Sequence, residues 1–349
     1  MTSIGGHSNR TEPNNLHPIQ HIKRKPANMT DTNARKVYFD CDLGVDDSLA
    51  LTYLMASPAV DLVGVGTVCG NTDADQAARN AIDLLDLGDM DDVPVAVGAR
   101  DYRVNEFHGG VVNVHGANGI GNVELAHTDR EPVDETAVEL LLRLSHEHAG
   151  ELHICAVGPL TNLAAALEAD PTLVERVADV TVMGGAARVP GNVTPVAEAN
   201  VWHDPEAARI TFNAAWNITL APLDSTMANT FEERHREALL NSANPVAAAV
   251  GRIMDFYFDF HIPEYGRRCS ALHDPLAAAI CAGGITPTLA PCVPVDVDDT
   301  HGPGRGQTIC DLRGQRTGWH DVDGAHMRVT LRVDEPVADH LVEVIAGDR

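Results

Sequence analysis

Short apolar runs alternate with longer amphipathic segments along the chain. The runs have the length and the polar boundaries of buried strands, and we place strands at KVYFD, VDLVGVGTV, VPVAVG, ELHICAVG, DVTVMGG and WNITLAPLD. Apolar residues recur at helical spacing in DDSLALTYLMAS, DADQAARNAIDLLDLG, DETAVELLLRLSHEHAG, GPLTNLAAALEAD and DPEAARITFNAAW. Because strands and helices alternate, we predict an α/β fold with a mostly parallel, Rossmann-like central sheet.

No sequence repeat or linker interrupts this pattern, so we predict a single domain over residues 36–349. Residues 1–35 lack the apolar segment of a secretory signal. We predict that they form a disordered N-terminal tail.

Charge and composition limit the partners of this chain. It has 50 acidic and 25 basic residues and a formal net charge of −25. This charge repels nucleic acid and anionic membranes, and no apolar run approaches the length of a membrane span. We therefore predict a soluble protein that binds neither. Its seven cysteines have no CxxC spacing, which is typical of reduced thiols in a cytoplasmic protein.

Polar residues follow several predicted strands, at the sheet edge where open α/β folds bind ligands. The first strand leads into DCDLGVDD, which contains Asp40, Asp42, Asp46 and Asp47. Further residues expected at the same edge are Asn71, Val157, Asn192, Glu198, Asn200, His273 and Asp274.

These oxygen-rich side chains favour a site for a hard divalent cation. Carboxylates from Asp42, Asp47 and Asp274 suit Ca²⁺ or Mg²⁺, and the lack of a Cys/His ligand set argues against zinc. A cation would also relieve the repulsion among the aspartates. In the alternative interpretation, Asp46, Asp47 and Ser48 simply cap the start of a helix.

Taken in order, the motifs resemble those of the inosine–uridine-preferring nucleoside hydrolase family, whose DxDxGxDD loop is here DCDLGVDD. The similarity continues through CGNTD, VHGANGIG, AVGPLTNLA, MGG, GNVTPVAEAN, DPEAA, LHDPLAAA and GRGQTICDLRG. It extends from Lys36 to about Gly314. It implies the nucleoside hydrolase fold and an N-glycosidase that releases the base from purine or pyrimidine ribonucleosides. It also implies a homodimer or homotetramer.

The resemblance also implies a ligand set. The carboxylates of Asp42, Asp47 and Asp274 and the backbone carbonyl of Val157 would bind Ca²⁺. Asp40 would support the loop from behind these ligands. The residues implied to bind the ribose hydroxyls are Asp46, Asn71, Asn192, Glu198 and Asn200.

Two residues are expected to move protons. Asp42 would accept a proton from the water that attacks C1′ of the ribose. His273 would act as the acid for the leaving base, and its imidazole is expected to titrate near neutrality. Alternatively, His273 only orients Asp274.

Three further residues are expected beside the nucleobase. Tyr257 and His261 lie in RIMDFYFDFHIPEYGRR, which we predict as a helix and loop closing over the base. Aromatic residues at helical spacing also pack in cores, which is the alternative for Tyr257. His115 of VHGANG is expected on the base side, with a backbone hydrogen bond as its alternative role.

The chain departs from the family pattern at two positions. Leu43 replaces the usual proline, and Ala199 replaces an aromatic residue, so we expect an altered pocket near the ribose. One rival function is a nucleoside-binding homologue that keeps the metal site without hydrolysis. Another is a phosphatase with an aspartyl nucleophile. It would need a lysine near the later motifs, but all three lysines lie at or before Lys36.

Overall fold

An eight-stranded sheet forms the centre of the fold. The structure is a computed structural model that describes residue 1 and residues 34–347. Apart from residues 1, 34 and 35, the predicted tail lies outside the described residues. The described residues from 34 onward belong to one compact unit.

Strands and helices alternate over the first two thirds of this unit. The strands are β1 (Arg35–Cys41), β2 (Val60–Thr67), β3 (Val95–Val97), β4 (Leu152–Ala156), β5 (Val177–Met183), β6 (Ile218–Ala221), β7 (Thr230–Glu232), β8 (Cys269–Ala271), β9 (Cys292–Val293), β10 (Val295–Val297), β11 (Thr308–Cys310) and β12 (Met327–Val329). The helices are α1 (Val45–Ala56), α2 (Ala74–Leu87), α3 (Val112–His115), α4 (Ala137–Glu147), α5 (Thr161–Ala169), α6 (Ala199–His203), α7 (Pro205–Asn213), α8 (Leu223–Thr226), α9 (Glu233–Leu240), α10 (Pro245–Tyr265), α11 (Asp274–Cys281) and α12 (Val337–Ala346). Short 3₁₀ helices also form at Pro171–Glu175 and Arg313–Arg316. Within residues 34–347, no helix is both long and apolar enough to cross a membrane.

The central sheet is mostly parallel. Its strand order is β3-β2-β1-β4-β5-β6-β12-β9. Neighbours from β3 to β12 run parallel, and β9 pairs antiparallel with β12 at the edge. The order from β3 to β6 is that of a Rossmann sheet. The predicted α/β fold with a mostly parallel central sheet is thus confirmed.

The six predicted strands correspond to β1–β6, and the five predicted helices to α1, α2, α4, α5 and α7. The prediction of a strand through Asp224 is wrong, because β6 ends at Ala221. Pro222 has no N–H to donate to the ladder. Its carbonyl accepts the N–H groups of Ser225 and Thr226, which starts α8.

Apolar side chains fill both faces of the sheet. Tyr38 lies in the core with Ile154 and Phe212, whereas its neighbour Phe39 lies in the opposite core with Leu49. Adjacent residues of a strand point to opposite faces. A parallel strand buried on both faces is therefore continuously apolar, as the VYF run is.

The direction of chain crossing changes beside β1. The chain runs outward from β1 through β2 to β3, and then returns to place β4 on the other side of β1. Ligands of open α/β sheets bind at the carboxyl ends of strands at such a switch point. Asp42 directly follows β1, and Val157 directly follows β4.

Candidate active site

The loop between β1 and α1 is buried and acidic. The exposed fractions of Asp40, Asp42, Asp46 and Asp47 are 0, 1, 5 and 0%. Asp47 Oδ1 accepts the N–H of Asp42 at 3.2 Å, and its Oδ2 accepts the N–H of Gly44 at 2.8 Å. Asp47 therefore does bond the backbone at the helix start, as in the capping interpretation. The loop between β1 and α1 therefore bends around the carboxylate of Asp47.

Asp274 joins this loop from the N-terminus of α11. Oxygen atoms of Asp46, Asp47 and Asp274 lie within 4.8 Å of one another. The carboxyl group of Asp47 also interacts directly with those of Asp42 and Asp274. Both α1 and α11 direct their N-termini, which carry partial positive charge, towards these carboxylates. Three helix-terminal aspartates and Asp42 thus form one acidic cluster.

Two oxygen atoms of the cluster suit a bound cation. Among the described residues, buried Asp42 Oδ1 and Asp46 Oδ1 have no hydrogen-bond partner. A buried carboxylate oxygen without a partner is costly. Hard divalent cations bind oxygen ligands of this kind, so this cluster could hold a metal ion.

Burial and mutual repulsion shift the acidity of these groups in the same direction. Burial first, and then the charge of Asp47, raises the pKa of Asp46 to about 7. The same two causes raise the pKa of Asp42 well above its ordinary value. Burial, followed by the charges of Asp46, Asp47 and Asp42, raises the pKa of Asp274 well above its ordinary value. The cluster therefore favours a positive charge, supplied by protons or by a cation.

Asn71 contacts the aspartates themselves. Its N–H donates to Asp42 Oδ2 at 2.7 Å, and its side-chain amide donates to Asp47 Oδ2 at 3.0 Å. The preceding Gly70 allows this approach, since a Cβ there would lie 2.0 Å from Asp42 Oδ2. Asn71 thus orients two carboxylates, a contact that the sequence did not indicate.

The carbonyl of Val157 faces Asn200. The Asn200 side-chain amide donates to this carbonyl oxygen at 2.7 Å. A carbonyl oxygen has two lone pairs, so one remains available for another ligand. The N–H of Val157 donates to the carbonyl of Asp40 at 2.8 Å, which joins the end of β4 to the acidic loop.

Glu198 is buried, with 1% of its surface exposed, and its carboxylate caps α6. It accepts N–H groups of Asn200 at 2.9 Å, Val201 at 3.2 Å and Gly185 at 2.8 Å. By contrast, Asn192 is exposed and accepts the N–H of Ala199 at 3.0 Å. Asn192 therefore supports the loop before α6 at its exposed side.

Asp40 lies behind the cluster, in β1. Its Oδ2 accepts the hydroxyl of Tyr38 at 3.0 Å and the side-chain amide of Asn162 at 3.1 Å. Burial raises the pKa of Asp40 to about 7. Sequence reasoning did not single out Asn162, although it lies in the motif GPLTN directly after Val157.

His273 is tied to a residue that sequence reasoning missed. Its Nδ1 lies 2.9 Å from the Oγ1 of Thr226, in α8. Burial, with a smaller effect of His261, lowers the pKa of His273 to about 4. The expectation that this imidazole titrates near neutrality is therefore wrong for the free protein. Thr226 follows the strand WNITLA, so a search of polar residues after each strand would have found it.

His115 forms the backbone hydrogen bond that was its alternative role. Its Nδ1 accepts the N–H of Val45 at 3.1 Å, at the start of α1. Burial lowers the pKa of His115 to about 3. Its ring centroid lies 5.5 Å from that of Tyr257. His115 thus packs under the acidic loop.

Tyr257 is both a core residue and a partner of the cluster. It is 4% exposed, and its hydroxyl donates to Asp46 Oδ2 at 3.3 Å. His261 meets its ring edge to face, with centroids 4.6 Å apart. His261 Nδ1 lies 3.2 Å from Glu264, while its buried Nε2 has no hydrogen-bond partner among the described residues. The C-terminal half of α10 therefore closes one side of the cluster.

Known proteins resemble this chain over most of its length. The family model for the inosine-uridine preferring nucleoside hydrolase matches residues 37–338. A probable uridine nucleosidase of Arabidopsis thaliana is 32% identical over 311 residues, which is 88% of this chain and 96% of the relative.

Two solved structures share the fold. The plant nucleoside hydrolase PpNRh1 matches with a TM-score of 0.83 and 33% identity, over 90% of this chain and 99% of its own. A purine-preferring ribonucleoside hydrolase from Gardnerella vaginalis matches with a TM-score of 0.81 and 30% identity, over 90% of this chain and 98% of its own.

Addition of Ca²⁺ to chelator-treated protein should raise its melting temperature if the ion binds the folded acidic cluster and not the unfolded chain. At a free Ca²⁺ concentration about 100 times the Kd of the ion, the free energy of unfolding would rise by about 2.7 kcal/mol. Asp47→Asn should abolish most of this rise in a thermal-shift measurement. The exposed Asp323→Asn is the matched control, and an equal rise in both variants would contradict the assignment.

Proposed function

This chain belongs to the inosine-uridine preferring nucleoside hydrolase family and is an N-glycosidase; from that premise we propose that it hydrolyses ribonucleosides to ribose and free base with Asp42 as the general base. Relatives named for uridine and for purine nucleosides both resemble it. The substrate panel should therefore contain both kinds of base.

One observation carries the proposal. The buried oxygens Asp42 Oδ1 and Asp46 Oδ1 have no partner among the described residues, at the edge where β1 and β4 end. Two buried carboxylate oxygen atoms without hydrogen-bond partners are costly in a loop that has only a structural role. A ligand with hydroxyl groups, bound together with a water molecule and a cation, would give both oxygen atoms a partner.

The carboxylates of Asp42, Asp47 and Asp274 and the carbonyl of Val157 would hold Ca²⁺. The donor set fits a hard cation, since its members are all oxygens and the carboxyl group of Asp47 adjoins both others. When bound, such an ion binds sugar hydroxyls and increases the acidity of water. Asn71 holds Asp42 and Asp47 in place, and Asn200 holds the carbonyl of Val157, through the hydrogen bonds described above.

Asp42 takes the proton of the attacking water. Its Oδ2 is held by the N–H of Asn71, while Oδ1 is free to accept from water. As the water oxygen bonds to C1′, the C1′–N bond breaks and its electron pair leaves with the base. Positive charge develops on the ribose. The carboxylates of Asp42, Asp46 and Glu198 then stabilise this charge from one side.

Ribose hydroxyls would bind the polar groups around that acidic floor. We assign this role to Asp46, Asn71, Asn192, Glu198 and Asn200. Glu198 is the best supported, since three backbone N–H groups keep its buried carboxylate in one orientation. Asn192 is exposed, so it would reach the sugar from the solvent side.

His273 would deliver a hydrogen to the leaving base. Because the pKa of His273 in the free protein is about 4, the imidazole is neutral at pH 7. A neutral imidazole can still donate the hydrogen of one ring nitrogen to a developing negative charge, as in other enzymes. The base nitrogen that receives the electron pair is the acceptor.

Tyr257, His261 and His115 would form the wall beside the base. Tyr257 and His261 pack edge to face, and the unpaired Nε2 of His261 offers a further hydrogen bond. Ala199, next to Glu198, is smaller than the aromatic residue of the family pattern, which would enlarge or reshape the pocket near the ribose.

The cysteines bear on the cellular compartment. All seven cysteines are free and five are buried, which supports the cytoplasm as the compartment. We propose residues 36–349 as the catalytic domain. An assembly of two or four copies is also proposed from the family resemblance, and light scattering would measure its mass.

Asp42→Asn should lower kcat for nucleoside hydrolysis by about 10²–10⁴-fold, because the general base is lost. Asp40→Asn should lower kcat much less, since the amide oxygen can still accept hydrogen bonds from Tyr38 and Asn162. Release of free base from inosine, uridine and adenosine measures both variants. Comparable losses would contradict the assignment, and no release by the wild type would instead support a nucleoside-binding homologue.

His273→Gln should lower kcat by about 10²–10⁴-fold for the same nucleosides, while the Ca²⁺-induced rise in melting temperature stays. Asp274 remains in place in this variant, so cation binding should persist. If the variant lost the Ca²⁺ effect together with activity, His273 would act by orienting Asp274 instead.

A further inference from the structure

We propose that the one-turn helix α8 positions both sides of the reaction centre, with Thr226 fixing the ring of His273 and Asp224 fixing the loop that holds Glu198. The inference rests on the proposed function for the roles of His273 and Glu198. Neither Thr226 nor Asp224 contacts the substrate in this scheme, and both act as positioning residues.

Thr226 determines which ring nitrogen of His273 carries the hydrogen. Thr226 is fully buried, and its Oγ1 lies 2.9 Å from Nδ1 of His273. If Nδ1 donated this bond, the buried hydroxyl hydrogen of Thr226 would have no acceptor among the described residues. The hydroxyl therefore donates to Nδ1. In the neutral ring, the hydrogen must then be on Nε2.

This tautomer is the one that the leaving base requires. Nε2 is the nitrogen on the far side of the ring from Thr226, and only a nitrogen that carries hydrogen can donate to the base. Thr226 also limits rotation of the ring, because the hydrogen bond to Nδ1 is lost when the ring turns. The hydroxyl thus selects a tautomer and an orientation at once.

Asp224, two residues before Thr226, holds a different loop. Its side chain is completely buried. Its carboxylate accepts the N–H of Ala187 at 2.8 Å, the N–H of Arg188 at 3.1 Å and Nε of Arg188 at 3.1 Å. The guanidinium balances the buried charge. Asp224 therefore closes the turn that follows β5.

That turn orients Glu198. Gly185 donates its N–H to Glu198 Oε2 at 2.8 Å, and its carbonyl accepts the N–H of Leu223 at 2.9 Å. Its φ of +75° is in the left-handed region, and a Cβ there would lie 2.5 Å from Oγ1 of Thr308. The backbone at Gly185 has little freedom to adjust. Displacing the turn from Asp224 would therefore displace Glu198.

Ser225 supplies a matched control within the same helical turn. It is fully buried, like Thr226, but its hydroxyl donates to the carbonyl of Pro222 at 3.1 Å. Its side chain bonds neither His273 nor the Gly185 turn. A Ser225→Ala change therefore removes a buried hydroxyl from α8 without removing either positioning contact.

Kinetics with two substrates would separate the two roles. A nucleoside needs its leaving base protonated, whereas 4-nitrophenyl riboside has a leaving group that departs as a stable anion. Thr226→Val should lower kcat/KM about 10-fold for the nucleoside and leave the nitrophenyl riboside within about 2-fold. Thr226→Ser, which keeps the hydroxyl, should retain the wild-type kcat/KM for the nucleoside.

Asp224→Asn should raise KM for both substrates about 10-fold. Ser225→Ala should change neither kcat/KM nor KM.

The tautomer can be measured without turnover. Long-range ¹H–¹⁵N NMR, with His273→Gln to assign the signal, should show hydrogen on Nε2 in the wild type and a mixture of tautomers in Thr226→Val. Hydrogen on Nδ1 in the wild type would overturn the role of Thr226, even in an active enzyme. Wild-type protein with hydrogen on Nε2 but no turnover would contradict the proposed function instead.

Two kinetic results would also overturn the proposal. Equal loss of rate for both substrates in Thr226→Val, with the wild-type melting temperature retained, would show that Thr226 is a general structural residue. Asp224→Asn with unchanged KM for both substrates would show that the Gly185 turn does not depend on Asp224.

Discussion

Burial of several carboxylates in one place is the constraint on which the rest of the structure depends. Asp42, Asp46, Asp47 and Asp274 are each at most 5% exposed, so water screens their repulsion poorly. The fold offsets this cost with backbone N–H groups and with the N-termini of α1 and α11. Within this cluster, Asp42 Oδ1 and Asp46 Oδ1 still lack partners among the described residues, and a bound ligand would remove this remaining cost.

Around this cluster the chain places donors that hold single carboxylates in fixed orientations. Asn71 bonds two of the aspartates, and Tyr257 bonds a third. Glu198 depends on three backbone N–H groups, one of which belongs to a turn held from α8. A reaction that develops positive charge benefits from such carboxylates because they need not reorient as the charge forms.

The sequence predicted the fold well, because apolar periodicity and strand–helix alternation are local signals. It failed at Asp224, where Pro222 ends the strand and starts a helical turn. The acidic residues could also be assigned to one edge of the sheet, because the rule for the carboxyl ends of parallel strands depends only on topology. The sequence did not identify the contacts of Thr226 with His273 or of Tyr257 with Asp46. Those contacts depend on how distant elements pack, which no local pattern encodes.

The acidic cluster is also divided along the chain in a way that affects its assembly. Asp42, Asp46 and Asp47 are synthesised early, whereas Asp274 arrives with α11, after most of the sheet strands. During synthesis the N-terminal part of the domain carries an acidic loop that lacks its last carboxylate and the helix packed against α1. A cation that needs Asp274 as a ligand would therefore bind tightly only to the completed domain, and it would stabilise the chain after the residues of most sheet strands have been synthesised.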